Sequence, residues 1–173
     1  LTGEAWLQGV PFFVDARSII PRSLIAEVLA EGYLDEWLPP TPPRIMDLCT
    51  GNGSLAVLAA LAWPEASVEG LDLSVQALEV AQRNVTRHGL DGRIRLLASD
   101  GFARASGRYD MILCNPPYVN AQSMATLPPE FRAEPALALA GGKDGMDFVR
   151  RCLRDATQWL TPEGVLVLEI GHE

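Results

Sequence analysis

The run Asn115-Pro-Pro-Tyr118 carries the clearest chemical potential in the sequence, with a side-chain amide, rigid rings and an aromatic face in direct succession. A planar amide nitrogen shares its lone pair with its carbonyl, as the peptide bond does, and is a poor nucleophile. Both of its N–H groups need acceptors before it can be aimed. The Asn115 side-chain oxygen and the Pro116 carbonyl, stiffened by Pro117, are suited to take those protons, and Tyr118 can lie on the planar group and fix its tilt. The matching electrophile is a methyl group on a positively charged sulfonium. Displacement there needs little acid–base help, so positioning and aimed dipoles should supply most of the rate, and no metal is expected. An exocyclic adenine amine is also planar and doubly protonated, and it suits the same clamp. A turn in which Asn115 caps and Tyr118 packs is the purely structural reading.

A second constellation lies upstream. In Asp47-Leu-Cys-Thr-Gly-Asn-Gly-Ser54, Gly51 and Gly53 allow a tight turn and let backbone amides approach a ligand at the start of a helix. Gly51-x-Gly53-x-x-Ala56 also satisfies the dinucleotide fingerprint, so this loop alone leaves the identity of a nucleoside cofactor open. It is equally what close packing of helix on strand requires. Asp72 can accept hydrogen bonds from both ribose hydroxyls of a nucleoside, with Ser74 capping the helix that follows. After the next strand, Asp100 could accept from an adenine amine and Phe102 could flank the ring, although an Asp beside Gly101 also suits an ordinary turn. His88, just before Gly89, fits a helix C-terminus, and neither it nor His172 has an evident chemical role.

These residues need a scaffold that brings strand ends together. Glu4 to Asp15 reads as a short hairpin, and Leu24, Ile25, Val28, Leu29 and Tyr33 have the spacing of an amphipathic helix ending near Trp37. The proline run from Leu38 to Pro43 can neither continue a helix nor join a ladder, and reads as a stiff linker. Apolar runs then alternate: strand 45–49, helix 55–63, strand 68–71, helix 75–88, strand 94–98, strand 109–114, helix 148–160 and strand 165–170. The expected fold class is α/β, a mostly parallel sheet covered on both faces, with ligands at the carboxyl ends of its strands. Asp47, Asp72, Asp100 and Asn115 all fall there.

Composition narrows the function. A chain of 173 residues, 48% of them hydrophobic, supports one main core. The net charge of −8 argues against a phosphate-neutralising surface and suits a basic partner, so no direct nucleic-acid site is evident. Cys49, Cys114 and Cys152 show no C-x-x-C spacing, which gives neither a disulfide framework nor a zinc site and fits a reducing, cytoplasmic setting. The longest apolar run, 55–63, is too short to span a bilayer, and no charged-then-apolar leader opens the sequence, so no membrane partner is expected.

Taken together, Asp47-Leu-Cys-Thr-Gly-Asn-Gly53, Asp72, Ser99-Asp-x-Phe102 and Asn115-Pro-Pro-Tyr118, with Ile20-Pro-Arg-Ser23, resemble the N5-glutamine methyltransferases of bacterial translation. The resemblance covers essentially the whole chain. It implies a class I, Rossmann-like methyltransferase fold, S-adenosylmethionine held by Asp47, Thr50, Gly51, Asn52, Gly53, Asp72, Asp100, Phe102 and Asn115, and a glutamine site formed by Asn115, Pro116, Pro117 and Tyr118. Of the family's substrates, release factors and a large-subunit ribosomal protein, the stretch from Tyr118 to Ala140 and Gly142-Lys-Asp-Gly-Met-Asp147 look more like the ribosomal-protein branch. A release-factor glutamine methyltransferase, an N6-adenine methyltransferase acting on nucleic acid, or a non-catalytic cofactor-binding module are the alternatives. Two departures stand out: Cys49 where many methyltransferases carry the first glycine, and Leu24 for a commoner proline. Relatives of this kind carry a helical domain before the hairpin and further strands at the end. Residues 1–38 are therefore expected to link to such a domain, and 39–173 to form a catalytic domain short of its last strands.

Overall fold

The computed structural model describes residues 3–132 and 134–171; His172 lies outside them. A parallel five-stranded sheet forms the centre, in the order β5-β4-β3-β6-β7. Its strands are β3 (Arg44–Leu48), β4 (Ser67–Asp72), β5 (Ile94–Ala98), β6 (Tyr109–Cys114) and β7 (Leu160–Leu168). The chain winds outward from β3 to one edge, then returns to place β6 on the other side of β3. At that reversal neighbouring strand ends diverge, and a crevice opens where ligands bind in folds of this kind. Cys114, the last residue of β6, pairs with Leu48, the last of β3, so the glycine turn and Asn115 leave the sheet side by side.

Helix α2 (Ser54–Ala62) is apolar almost throughout and buries Leu55 to Ala60 in the larger core cluster. Helix α3 (Val75–Arg87) buries Ala77, Val80, Ala81, Asn84 and Val85, the spacing of a single inward face. Ser74 caps it, accepting from the Ala77 N–H at 3.1 Å. On the other face Met46, Leu71, Ile112 and Cys114 pack with Cys152 of helix α6 (Asp147–Asp155).

The N-terminal hairpin, β1 (Glu4–Leu7) and β2 (Val10–Phe13), is a separate antiparallel pair. It is nonetheless bound into the same core. Phe12 is fully buried in the cluster of α2, and the buried Asn84 side chain accepts from the Phe13 N–H at 2.7 Å and donates to the carbonyls of Phe13 and Asn52 at 3.1 and 2.9 Å. One amide therefore ties hairpin, helix and glycine turn together.

Some boundaries differ from the sequence expectation. Helix α1 (Ile25–Ala30) stops well before Trp37, because Gly32 adopts φ +71° and redirects the chain into a short 3-10 turn over Asp35–Trp37. Helix α6 ends at Asp155 and passes through a 3-10 turn, Ala156–Gln158, into β7, which begins at Leu160 and ends before Ile170. Between β6 and α6 lie α4 (Ala121–Ala125), α5 (Pro129–Arg132) and a 3-10 turn (Ala136–Ala138), none of them anticipated. No described helix is long and apolar enough to cross a membrane.

Candidate active site

At the end of β3 the chain reverses sharply through Cys49 and Gly51, at φ +63° and +55°, before Gly53 at +79° starts α2. The Cys49 conformation is one that favours glycine. A Cβ on Gly53 would sit 3.0 Å from the Ala81 Cβ, so that glycine also sets the approach of α2 to α3.

Asp47 lies beneath the turn and is 1% exposed. Its Oδ2 accepts from Thr50 Oγ1 at 2.6 Å and from the Ala56 N–H in the first turn of α2 at 2.9 Å, while Oδ1 has no partner. Burial outweighs those bonds and pushes its pKa up to about 7. Asp72, by contrast, faces outward. Its oxygens accept from the N–H groups of Gly51 and Ser74, each at 2.8 Å, and the partial burial of this carboxyl raises its pKa despite them.

A cavity of about 570 Å³ opens above these strand ends. Gly51, Asp72, Asp100, Asn115 and Pro117 line it; Asp47, Thr50, Asn52 and Gly53 stand behind the turn instead. Asp100 is paired with Arg151 at 2.7 Å. Phe102 is 8% exposed and stacks on Trp159 with ring centroids 6.1 Å apart, facing the core. The aromatic wall of the cavity is Phe148, with the Arg151 guanidinium 4.9 Å above its ring. Arg17 and Ser18 close another side, and the buried Ser18 hydroxyl has no partner. Sequence reasoning missed Arg17, Ser18, Phe148 and Arg151; the only sequence signal was the polar Asp15–Ser18 segment after the hairpin.

A second cavity, of about 320 Å³, adjoins the first. Pro116, Tyr118, Arg22 and Phe131 contribute to its walls, and Ile19, Asn115 and Ala138 border both cavities. Asn115 is thus the hinge between two spaces. Among the described residues its side-chain amide takes no hydrogen bond. The roof is the irregular connection after Tyr118, closed on itself by Val119 N–H to Leu139 O at 2.9 Å and Gly141 N–H to Val119 O at 2.8 Å. Arg22 stitches this roof to the N-terminal segment through Glu134, at 2.7 Å, and the Phe131 ring, 4.8 Å from its guanidinium carbon.

Residues 29–142 match the methyltransferase small domain family. The chain belongs to that family. Among relatives, this methyltransferase small domain is 58% identical across its whole length to the ribosomal protein uL3 glutamine methyltransferase of Bordetella pertussis, and 52% identical, again across its whole length, to the protein of the same name from Burkholderia pseudomallei. It spans 59% of the length of each. In three dimensions it resembles the catalytic domain of hMettl16 in complex with the MAT2A 3′UTR hairpin 6 (TM-score 0.73, 18% identity, covering 94% of this chain and 62% of that one). It also resembles a methyltransferase from Pyrococcus furiosus (TM-score 0.67, 20% identity, covering 94% and 70%). At such identities the likeness speaks for the fold, which is that of class I methyltransferases.

Proposed function

We propose that this chain is the catalytic part of an S-adenosylmethionine-dependent methyltransferase that modifies the side-chain N5 of a glutamine in ribosomal protein uL3. The observation that carries the reading is the position of Asn115 on the border of two adjoining cavities, one lined by a ribose-type acceptor, Asp72, the other walled by Pro116 and Tyr118. The uL3 glutamine methyltransferases, similar over the whole of this chain, point to the substrate.

The larger cavity fits the cofactor in size and in its donor set. Asp72 would take the ribose hydroxyls, Gly51 and the turn behind it would bring backbone amides close, Asp100 and Phe148 would border the base, and the orphaned Ser18 hydroxyl is a buried polar group suited to a ligand's polar atoms. Asp47, Thr50, Asn52 and Gly53 would serve the cofactor by holding the turn in shape, and Phe102 by packing beneath Asp100. When bound, S-adenosylmethionine supplies a methyl group on a cationic sulfur.

The chain's own work is orientation. The Asn115 oxygen and the Pro116 carbonyl accept the two protons of the glutamine amide and point its nitrogen across the border between the cavities, while the Tyr118 ring limits rotation of the amide plane. With the nitrogen's approach fixed in advance, little of the barrier is left to acid–base chemistry.

Incubating the whole protein with labelled cofactor and ribosomes from cells lacking it should place a single methyl group on one uL3 glutamine, read by mass spectrometry of the isolated peptide. Label recovered only in RNA would overturn the assignment.

A further inference from the structure

Glu169 follows β7 directly and lines neither cavity, so nothing in the cofactor site or the clamp accounts for it. Its carboxylate is nevertheless fully engaged. Oε1 accepts from the Tyr118 hydroxyl at 3.1 Å, and Oε2 accepts from Ser23 Oγ at 2.5 Å and from the Leu24 N–H at 3.0 Å. Its own N–H donates to the Cys114 carbonyl at 2.9 Å, which anchors it beside the residue preceding Asn115. The neighbouring glycine completes the enclosure: a Cβ on Gly171 would lie 2.9 Å from Tyr118 Cδ2. Partial burial, and then the Glu169 charge, raise the Tyr118 pKa, so the hydroxyl stays protonated and donates.

We infer that Glu169 is a positioning residue, whose carboxylate holds the Tyr118 ring at the tilt the acceptor nitrogen requires and couples that tilt to Ser23 and Leu24 in the N-terminal segment. A tyrosine on an irregular loop is otherwise free to rotate about its side-chain bonds, and a hydrogen bond to a charged acceptor is about twice as strong as one between neutral groups. The carboxylate bridges elements far apart in sequence. Movement of the 23–24 segment is thereby transmitted to the aromatic wall of the acceptor cavity. The inference rests on the acceptor site proposed above.

Its test is a double-mutant cycle on the whole protein, reading kcat/KM for the acceptor and, separately, cofactor affinity and melting temperature. Glu169→Gln should lower kcat/KM about tenfold, the scale of one hydrogen bond to a charged group, with cofactor affinity unchanged. Tyr118→Phe should match it, and the double variant should fall no lower than the worse single one. Ser23→Ala, which cuts only the other arm, should cost less than Glu169→Gln. The inference is overturned by wild-type kcat/KM in Glu169→Gln, by losses that multiply in the double variant, or by Ser23→Ala reproducing the full loss, since each makes Glu169 a structural staple. If Glu169→Gln does not fold, Tyr118→Phe decides: a tenfold loss supports the coupling and none removes it. A wild-type protein that methylates something other than glutamine counts against the proposed substrate alone, because the same cycle can be read on whichever acceptor is modified.

Discussion

The ends of β3 and β4 lie side by side, and each delivers an aspartate to a turn that starts a helix. Asp47 faces inward, sealed under α2 with one oxygen unpartnered, whereas Asp72 faces the large cavity with both oxygens on backbone N–H groups. Their types and surroundings in the sequence are alike. The difference is one of position along the strand: Asp47 pairs with Gly70, so Asp72 lies two residues further on along the same face, past the turn that folds back over Asp47. One carboxylate shapes the turn; the other faces the cavity. At the end of β6, Asn115 adds a third strand end, set between the cavities.

The sharpest break in this arrangement is Asn115→Ala. It should reduce methyl transfer on the order of a thousandfold, the cost of removing an aimed polar group from a reacting centre, while calorimetry still finds cofactor bound. Next in size is Asp72→Asn, which should weaken cofactor binding about ten- to hundredfold in the same titration and also lower the melting temperature by a few degrees, because Asn keeps one acceptor for the two N–H groups of Gly51 and Ser74.

The mirror-image result is expected at Asp47. Its folded pKa, about 7, is well above the unfolded value near 3.8, so folding takes up a proton between those limits. Stability should therefore fall as pH rises from about 4 to about 7, by on the order of 4 kcal/mol in all, and change little on this group's account beyond either limit. Urea melts across that range should show the slope, and Asp47→Asn should flatten it while leaving cofactor affinity close to wild type. If Asp47→Asn instead lost the cofactor and Asp72→Asn the pH slope, the division of labour drawn here would be reversed.

Much of this could be read from sequence because β3, β4, β5 and β6 are short apolar runs each ending in a polar or glycine-rich turn. Ile94–Ala98 and Tyr109–Cys114 coincide with their expected limits. The alignment of the strand ends followed from the parallel order. What sequence could not give was orientation. Phe102 and Phe148 are both aromatic residues near the cavity, and only packing shows that Phe102 turns to Trp159 while Phe148 forms the wall. The region from α4 to the 3-10 turn at Ala136–Ala138 was illegible for another reason. Its helices are too short to show periodicity, and it is held by distant partners such as Arg22, which no local pattern reveals. Arg17 and Glu169 belong to the same category, since Glu79 and Tyr118, which they bind, lie far along the chain, and Ser18 is marked only by the cavity it borders.

Gly141 and Gly145 give the connection over the second cavity a further meaning. A Cβ on Gly141 would come within 2.7 Å of the Tyr118 Cα, and one on Gly145 would collide with the Tyr118 carbonyl oxygen. Backbone here lies directly on backbone, with no side chain between that could adapt. The connection is thus also a mould for the backbone of Tyr118. A side chain at either position would displace the Tyr118 backbone and so change the wall of the cavity, even though neither glycine contributes a functional group to it.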